Sequence, residues 1–311
     1  MVFKNGSFII NPSIKIDHVQ LKVLNLRKSI NFYQSIFGFK VLEKRSNQKT
    51  AFLSLATDYK EESSLLLVLT EVKDKNTISF REIKKQAGLY HFAILLPEIK
   101  YLSAFLRHIQ NNLESQYYDG MADHGVSKSI YIHDPDFNGI EVYKDRSSTK
   151  WKWINNKVHM ITEPLNVTYL LSKDIKEIWN GLPSGTKIGH VHLHVSNLIR
   201  SKKFYHDILG LYHTASYPGA LFFAADSYHH HIAINTWIGT NILPANNNHY
   251  MPGLDHYAII LPNREEINRL KNRFMESKIS TDETLDELDQ QYPYSFYIYD
   301  PDGIKIQFLC K

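Results

Sequence analysis

Three features that would restrict the class of this protein are scarce or missing. The 311-residue chain has one cysteine, Cys310, which excludes an internal disulfide and any zinc site built on cysteines. Its formal net charge is only +4 and no basic stripe is present, so nucleic acid is not indicated as a partner. No apolar run approaches the roughly 18 residues of a membrane span, and the N-terminus shows no signal peptide. We therefore expect a protein of the reducing cytoplasm without a membrane partner.

Histidine and tyrosine are abundant instead, with 16 and 19 copies respectively. The remaining composition is ordinary for a globular chain, at 43% hydrophobic and 22% charged residues. A chain of this length can bury two sizeable cores, so two domains are expected. Because histidine is a common metal ligand and a common acid or base, its placement carries most of the functional information.

The sequence contains an internal repeat. Ile16–Phe39 and Ile188–Leu211 are identical at 12 of 24 positions without a gap. A second pair of similar segments is Gly88–Pro97, GLYHFAILLP, and Gly253–Pro262, GLDHYAIILP. Each member of this second pair is followed further on by an Asp-Pro turn and a strand-like run. The chain therefore consists of two homologous halves, and each half contains two modules of one plan.

Each module is predicted to be a βαβββ unit, which makes the fold α+β. A strand with a histidine opens each module and a helix follows, such as Leu26–Phe37 or Leu198–Leu209, with Asn25 and Asn197 as N-caps. The connector is expected to contain a further helix, Asn166–Trp179, packed between the halves. The predicted boundaries are an N-terminal domain at 14–147 with modules 14–72 and 88–145, a linker at 148–186, and a C-terminal domain at 187–311 with modules 187–238 and 253–310.

One stretch, Asp123–Tyr143, combines several side chains that are capable of chemistry. It contains His124, Tyr131, an Asp-Pro turn and Glu141, in that order. The segments on both sides of the turn are typical of short strands, and in a hairpin they would place Tyr131 and Glu141 side by side. Glu141 alternates with two aliphatic residues, so it faces away from the apolar side of a covered sheet. A buried carboxylate there needs a partner such as a metal ion, whereas a solvent-exposed one needs none.

The fourfold module, its histidine-bearing first strands and its Asp-Pro turns resemble the vicinal oxygen chelate superfamily, which includes glyoxalases, bleomycin-resistance proteins and extradiol dioxygenases. The resemblance covers nearly the whole chain apart from the linker. It implies paired modules whose eight strands form a cupped mixed sheet around a divalent metal. Within the superfamily, the order His124, Ile130, Tyr131, an Asp-Pro turn and Glu141 matches the signature of extradiol dioxygenases. Two positions depart from it: Phe137 stands where glycine or proline is usual in that turn, and Ala122 stands where glycine or a similar residue is usual.

The resemblance implies an extradiol, or meta, ring-cleaving dioxygenase that resembles a two-domain catechol 2,3-dioxygenase. Its partners would be a small aromatic diol, catechol or a substituted catechol, and O₂. Such enzymes hold ferrous iron with two histidines and one carboxylate on one face, which leaves positions for the diol and O₂. A further histidine serves as acid and base, and a tyrosine hydrogen-bonds a substrate oxygen. Manganese accepts the same ligands, so the sequence leaves Fe²⁺ and Mn²⁺ both open.

The pairing of the modules decides which residues form this site. Pairing the second module with the third assigns His91, Glu141 and His190 to the metal, and His230, His124 and Tyr131 to catalysis. We prefer this arrangement, in which the site lies across the two halves. The alternative within the N-terminal half uses His18 as the first ligand instead of His190, but its fourth strand offers no acid or base. A site in the C-terminal half, with His190 and His256, would have Gln307 in the carboxylate position.

Two other functions remain open on the sequence. A glyoxalase-like metal-dependent lyase or thiol transferase would add a glutamate on the fourth strand of a module, where this chain has leucines or the histidine triple at 229–231. A non-catalytic protein that binds small aromatics is the third hypothesis, because Phe137 and Gln307 depart from the family pattern. The sequence leaves open the substrate, any ligand of the C-terminal cup, and whether the chain is a homo-oligomer.

Overall fold

The N-terminal half contains two modules and most of the connector. The structure, a computed structural model, describes residues 8–45, 49–56, 65–72, 85–173, 176–245, 251–283, 292 and 294–310. The first module consists of β1 (Lys15–Val23), α1 (Leu26–Phe32), β2 (Lys40–Arg45), β3 (Thr50–Ser54) and β4 (Leu65–Glu71). The second consists of β5 (Gly88–Leu95), α2 (Ile99–Asn112), β6 (Tyr118–Asp123), β7 (Ser127–His133) and β8 (Gly139–Asp145). The connector contributes β9 (Trp153–Ile154), β10 (Lys157–Val158), β11 (Glu163–Pro164) and α3 (Val167–Leu171).

The C-terminal half repeats the plan. Its first module consists of β12 (Lys187–His194), α4 (Leu198–Lys202), β13 (Tyr212–Tyr217), β14 (Ala220–Ala224) and β15 (Ile232–Asn235). Its second consists, within the described residues, of β16 (Gly253–Ile260), α5 (Arg264–Glu276), β17 (Tyr294–Tyr299) and β18 (Lys305–Cys310). None of the helices in the described ranges is long and apolar enough to cross a membrane. The predicted α+β fold of repeated βαβββ modules is confirmed.

The repeated helices begin and end as their sequences predict. The Asn25 side chain accepts a hydrogen bond from the backbone N–H of Lys28, and Asn197 caps α4 in the same way. Both helices then widen into a π-helical turn, at Tyr33–Phe37 after α1 and at Lys203–Ile208 after α4. The predicted helices therefore correspond to an α-helix followed by a π-turn.

The strands form two large sheets, and each sheet takes one module from each half. The seven-stranded sheet has the order β17-β18-β16-β1-β4-β3-β2, so the first module pairs with the fourth. The nine-stranded sheet has the order β11-β6-β7-β8-β5-β12-β15-β14-β13, so the second module pairs with the third. The seams are the antiparallel pairs β1–β16 and β5–β12. The boundaries given above for two tandem domains stay a prediction, because both sheets join the halves.

The two faces of β8 differ as strand alternation predicts. Ile140 and Val142 are fully buried in the main apolar core, which also includes Val191 of β12 and Phe105 of α2. Glu141 points the opposite way and is only 3% exposed. The interpretation of Glu141 as a solvent-exposed glutamate is therefore wrong, and the burial of its carboxylate has to be compensated inside the nine-stranded sheet.

The predicted connector helix is too long. It ends at Leu171, well before Trp179, and the Ser172 hydroxyl donates a hydrogen bond to the carbonyl of Tyr169 at 2.8 Å. Serine competes with the helical backbone in this way and favours a helix end. Trp179 instead packs against Phe105 of α2, with ring centroids 5.0 Å apart. This end of the connector therefore packs on the N-terminal half, whereas Val158 of β10 packs with Ala215 and Phe222 of the third module.

The Asp-Pro turn before β8 is held by a buried carboxylate. Asp134 accepts hydrogen bonds from the backbone N–H groups of Asp136 and Asn138, and from the Tyr33 hydroxyl at 2.9 Å. Phe137 has a φ of 63°, a left-handed conformation that favours glycine, which explains why glycine is usual there. The turn links the π-turn after α1 to the hairpin β7–β8, and so it fixes the strand that carries Glu141.

Replacing Asp134 by alanine is expected to lower the free energy of unfolding by at least about 3 kcal/mol, because the Tyr33 hydroxyl and two backbone N–H groups would stay buried without acceptors. Urea denaturation of Asp134→Ala and of the wild type measures the difference. Asp207→Ala removes a carboxylate from a side chain that is 64% exposed and serves as the control, with an expected change within about 0.5 kcal/mol. Equal losses in both variants would contradict the role of the turn.

Candidate metal and catalytic site

The proposed metal ligands come from three adjacent strands that meet at one small residue. In the parallel pair β5–β8, Ala93 lies opposite Glu141, and in the antiparallel pair β5–β12, Ala93 lies opposite His190. His91 is two residues before Ala93 on β5 and shares its face. The short alanine side chain leaves room above it. Three polar side chains therefore converge over Ala93.

The ligand atoms of this group lie close together and are shielded from solvent. Oε2 of Glu141 is 3.0 Å from Nε2 of His91 and 3.0 Å from Nε2 of His190. All three atoms lie within 4.8 Å of one another, and all three residues are buried. The Ser129 hydroxyl donates a 2.6 Å hydrogen bond to Oε1 of Glu141 and so orients the carboxylate. This serine, two residues before Tyr131 on the same strand face, was missed in the sequence.

The group fits a divalent first-row metal. His91 Nε2 is buried near the carboxylate but has no hydrogen-bond partner among the described residues, so it lacks a polar contact that a shared ion would supply. Three ligand atoms at right angles around one metal, each at about 2.1 Å, are separated by about 3 Å. The two distances to Glu141 agree with that spacing. Two imidazoles and one carboxylate on one face suit Fe²⁺ or Mn²⁺.

The protonation states of the group suit metal binding. Burial alone would raise the pKa of Glu141, but His190, by its charge and its hydrogen bond, and the nearby His91 hold its pKa well below the usual range. Burial lowers the pKa of His190 to about 4, against the opposing effect of Glu141. Glu141 is therefore ionised and His190 neutral at pH 7, which are the forms that bind a metal.

A row of hydrogen-bonded side chains approaches the group from β15. The His230 ring lies 4.1 Å from the His190 ring, and its Nδ1 is 2.7 Å from Nδ1 of His229. His229 Nε2 in turn donates to a carboxylate oxygen of Asp145 at 2.9 Å. Because the triple lies in a turn before β15, both His229 and His230 are buried, whereas the strand pattern allowed only alternate members to face inward. Asp145, four residues after Glu141 on the same strand face, was also missed in the sequence.

With His229 in its neutral form, these hydrogen bonds define the tautomer of His230. A neutral imidazole has one N–H, and His229 uses it at Nε2 to donate to Asp145. His229 Nδ1 is then an acceptor, so His230 must donate through its own Nδ1. Nε2 of His230 therefore carries a lone pair. Burial, followed by the charges of His190 and His229, holds the pKa of His230 well below its usual range, which keeps the ring neutral.

The other predicted catalytic residues form a second pair on β7. Tyr131 lies directly opposite Glu141 in the β7–β8 hairpin, as the sequence predicts, and its ring is 5.6 Å from that of His91. His124 Nδ1 donates to the Ile161 carbonyl at 3.0 Å. Its Nε2 is therefore an acceptor and receives the Tyr131 hydroxyl at 2.6 Å. Burial raises the pKa of Tyr131 well above its usual value, so the phenol stays protonated.

A cavity of about 660 Å³ opens beside these groups, which is a size that suits a small organic ligand. Tyr90, His91, Tyr131 and His194 are among its lining residues. His192 lies behind Tyr90, with ring centroids 5.0 Å apart, and accepts a 3.0 Å hydrogen bond from an asparagine side chain of β15. The wall next to the metal group is therefore aromatic and rich in histidine.

His18, the alternative first ligand, lies elsewhere. It belongs to β1 of the seven-stranded sheet, where its ring is 5.7 Å from that of His256. The described residues contain one group of three histidine or acidic side chains with metal-binding spacing, and that group includes His190 instead of His18.

The family follows from comparison with known proteins. The model of the Glyoxalase/Bleomycin resistance protein/Dioxygenase superfamily matches residues 15–142 and 187–308. The chain therefore belongs to this superfamily, and the resemblance noted in the sequence is confirmed. The two matched ranges correspond to the two halves of the repeat, and together they contain all six predicted site residues.

Individual relatives agree with this family. The catechol-2,3-dioxygenase of Bacillus subtilis (strain 168) is 37% identical over 289 residues, which cover 92% of this chain and 96% of that protein. A solved structure from Bacillus subtilis subsp. subtilis str. 168 has a TM-score of 0.64 at 10% identity and covers 97% of this chain and 86% of its own. Glyoxalase I from Zea mays has a TM-score of 0.55 at 18% identity, covering 96% and 92%. At these identities the two structures show the shared fold alone.

Replacing His190 by alanine is expected to abolish high-affinity Fe²⁺ binding, because it removes one of three ligands from the group. Anaerobic titration with Fe²⁺ measures this loss. His192→Ala, two residues along the same strand and also buried, is the matched control and should retain the ion. Loss of Fe²⁺ in His18→Ala but not in His190→Ala would contradict a site that joins the second and third modules.

Proposed function

We propose that this protein is an extradiol dioxygenase that cleaves catechol or a substituted catechol with O₂ at a ferrous site held by His91, Glu141 and His190. The observation that carries the proposal is the convergence of these ligands with a neutral histidine, His230, on one side and a hydrogen-bonded tyrosine, Tyr131, on the other. The 37% identity to a catechol-2,3-dioxygenase over 92% of the chain supports it. Bound iron would supply the coordination positions at which the diol and O₂ meet.

His230 is proposed as the acid and base. Its Nε2 lone pair can take the proton of a catechol hydroxyl, and the positive charge that results is shared with His229 and Asp145 through their hydrogen bonds. The same Nε2–H can later return the proton to an oxygen of the opened ring. Because its Nδ1 is held by His229, the ring cannot turn away from the substrate, so the proton is delivered at a fixed position.

Tyr131 is proposed to hold a substrate oxygen, with His124 controlling the direction of the hydrogen bond. While His124 is neutral, Tyr131 donates to its Nε2 and offers the phenol oxygen as an acceptor. A substrate hydroxyl that passes its proton to the phenol oxygen allows Tyr131 to pass its own proton to His124 Nε2. The protonated His124 then donates to Tyr131, whose new O–H faces the substrate oxygen. The pair can therefore follow the change of a substrate oxygen from a hydroxyl to an anion.

The other candidate functions fit the site less well. A glyoxalase-like lyase or thiol transferase would need a fourth protein ligand, whereas the metal-binding group found in the described residues has three members. His230 lies beside His190 instead, and its hydrogen bond to His229 leaves its Nε2 able to act as a base. A protein that only sequesters an aromatic would not need the row from Asp145 to His230.

The direct test is turnover. Protein purified without oxygen, loaded with Fe²⁺ and mixed with catechol in air should consume O₂ and form the yellow ring-opened hydroxymuconic semialdehyde. His230→Asn should lower kcat by about 10²- to 10⁴-fold while Fe²⁺ still binds. His108→Asn, which changes a half-buried histidine of α2 outside the site, should leave the rate unchanged. Absence of product and of O₂ uptake with catechol and several substituted catechols would refute the proposal.

The tautomer of His230 makes a separate prediction. In Asp145→Asn the side-chain amide can donate to His229 Nε2, which would reverse both histidine tautomers and place a proton on His230 Nε2. We expect kcat to fall by at least about tenfold and its pH profile to shift, with KM and Fe²⁺ binding little changed. Asp207→Asn provides the matched surface control. An unchanged pH profile would show that Asp145 has only a structural role.

A further inference from the structure

The seven-stranded sheet repeats the register of the metal group. Ala258 of β16 lies opposite Gln307 of β18, as Ala93 lies opposite Glu141. Tyr297 lies opposite Gln307, as Tyr131 lies opposite Glu141. The positions of the first site therefore have counterparts in the second cup, which are His18 for His190, His256 for His91, Gln307 for Glu141, Tyr297 for Tyr131 and Ser295 for Ser129.

The two pairs of histidines also have the same geometry. The rings of His18 and His256 are 5.7 Å apart with an angle of 78° between their planes. The rings of His91 and His190 are 5.6 Å apart with an angle of 67°. Like their counterparts, His18, His256 and Gln307 are buried, at 5%, 2% and 2% exposure. The second cup thus keeps the arrangement that brings two imidazoles towards one point.

Each histidine of the second cup has a carboxylate partner of its own. Nδ1 of His18 donates to Asp17 at 2.8 Å, and Nδ1 of His256 donates to Asp255 at 2.8 Å. These hydrogen bonds leave the lone pair on Nε2 of both rings, and such a carboxylate is the usual support of a metal-binding histidine. In the first site the residues before the histidines are Gly189 and a tyrosine, so neither histidine has a carboxylate as its preceding neighbour.

Several buried polar atoms of the second cup are without partners. His256 Nε2, Ser295 Oγ and Gln20 Oε1 have no hydrogen bond among the described residues. Their side chains are only 2%, 4% and 7% exposed. Unpaired polar atoms at such depth are costly, so the cup is suited to a polar ligand or ion that would satisfy them.

Among the described residues, the second cup has an apolar strand where the first has its proposed acid and base. The strand β4, which corresponds to β15, begins with Leu65–Leu69, an apolar run, where the third module has its histidine triple. Gln307 also supplies an oxygen without charge. Lys22 and Lys305 oppose part of the charge of Asp255. A cation bound here would therefore be held by neutral donors, which favours an ion with affinity for imidazole over Mg²⁺ or Ca²⁺.

We propose that His18, His256 and Gln307 form a second metal site that binds a divalent transition ion such as Zn²⁺ or Co²⁺ and has no catalytic role. His18 lies on the first strand of the first module and the other two ligands lie in the fourth module. The ion would therefore join the beginning and the end of the chain across the β1–β16 seam and stabilise the folded protein.

Co²⁺ titration of the metal-free protein tests this site, because bound Co²⁺ reports its ligands by visible absorption. Wild type should bind two equivalents, His190→Ala one and His256→Ala one, with different spectra for the two single variants. Asp255→Asn, which removes only the support of a ligand, should weaken the second equivalent by about 10- to 100-fold. Gln307→Glu should tighten it, since the change supplies the charge found in the first site.

Stability provides an independent measurement. In the His190→Ala background, Co²⁺ should raise the Tm, and the further change His256→Ala should remove that increase, while His108→Ala should not. If His256→Ala fails to fold, Gln307→Leu and Gln307→Glu in the same background replace it and should weaken and strengthen the increase. Binding of one Co²⁺ by the wild type, lost in His190→Ala, or a Co²⁺ effect that is insensitive to Asp255 and Gln307, would overturn the proposal.

Discussion

The antiparallel pairing of β5 with β12 is the constraint on which the candidate site depends. These strands belong to different halves of the chain, and their register places His190 beside Ala93. The parallel pair β5–β8 brings Glu141 to the same residue from the other side. A shift of one residue in either pair would turn a ligand to the apolar face, where Ile140 and Val142 are packed. Core packing thus holds the ligands in register.

Burial gives the site its chemical character. A carboxylate that is 3% exposed is stable only with compensation, which His91, His190 and Ser129 provide in part and a bound cation would complete. Burial also keeps the surrounding imidazoles neutral. Neutral histidines can bind metal or accept a proton, so one physical cause, exclusion of water, prepares both the ligands and the base. The outlying pairs, His229 with Asp145 and Tyr131 with His124, then set the direction of each hydrogen bond.

Much of the fold and of the candidate site could be predicted from the sequence because the two halves of the repeat can be compared with each other. Local patterns predict the modules and the helix caps at Asn25 and Asn197. They also predict that Glu141 lies on the strand face opposite to its aliphatic neighbours. The sequence could favour the pairing of the second module with the third but could not establish it, because the pairing depends on contacts between strands that are distant in the chain. Ser129 and Asp145 were missed because ordinary polar residues carry no signal until their partners are known. The predicted connector helix was too long, and the helix stops where Ser172 bonds a preceding carbonyl, which favours a helix end.

The two cups share one geometry, and we propose that the ferrous site of the nine-stranded sheet joins the two halves of the chain. X-ray diffraction at the iron absorption edge, from crystals grown anaerobically with one equivalent of Fe²⁺, tests it most directly. We predict the strongest anomalous peak between His91, Glu141 and His190. A strongest peak between His18 and His256, with none beside Glu141, would contradict the account.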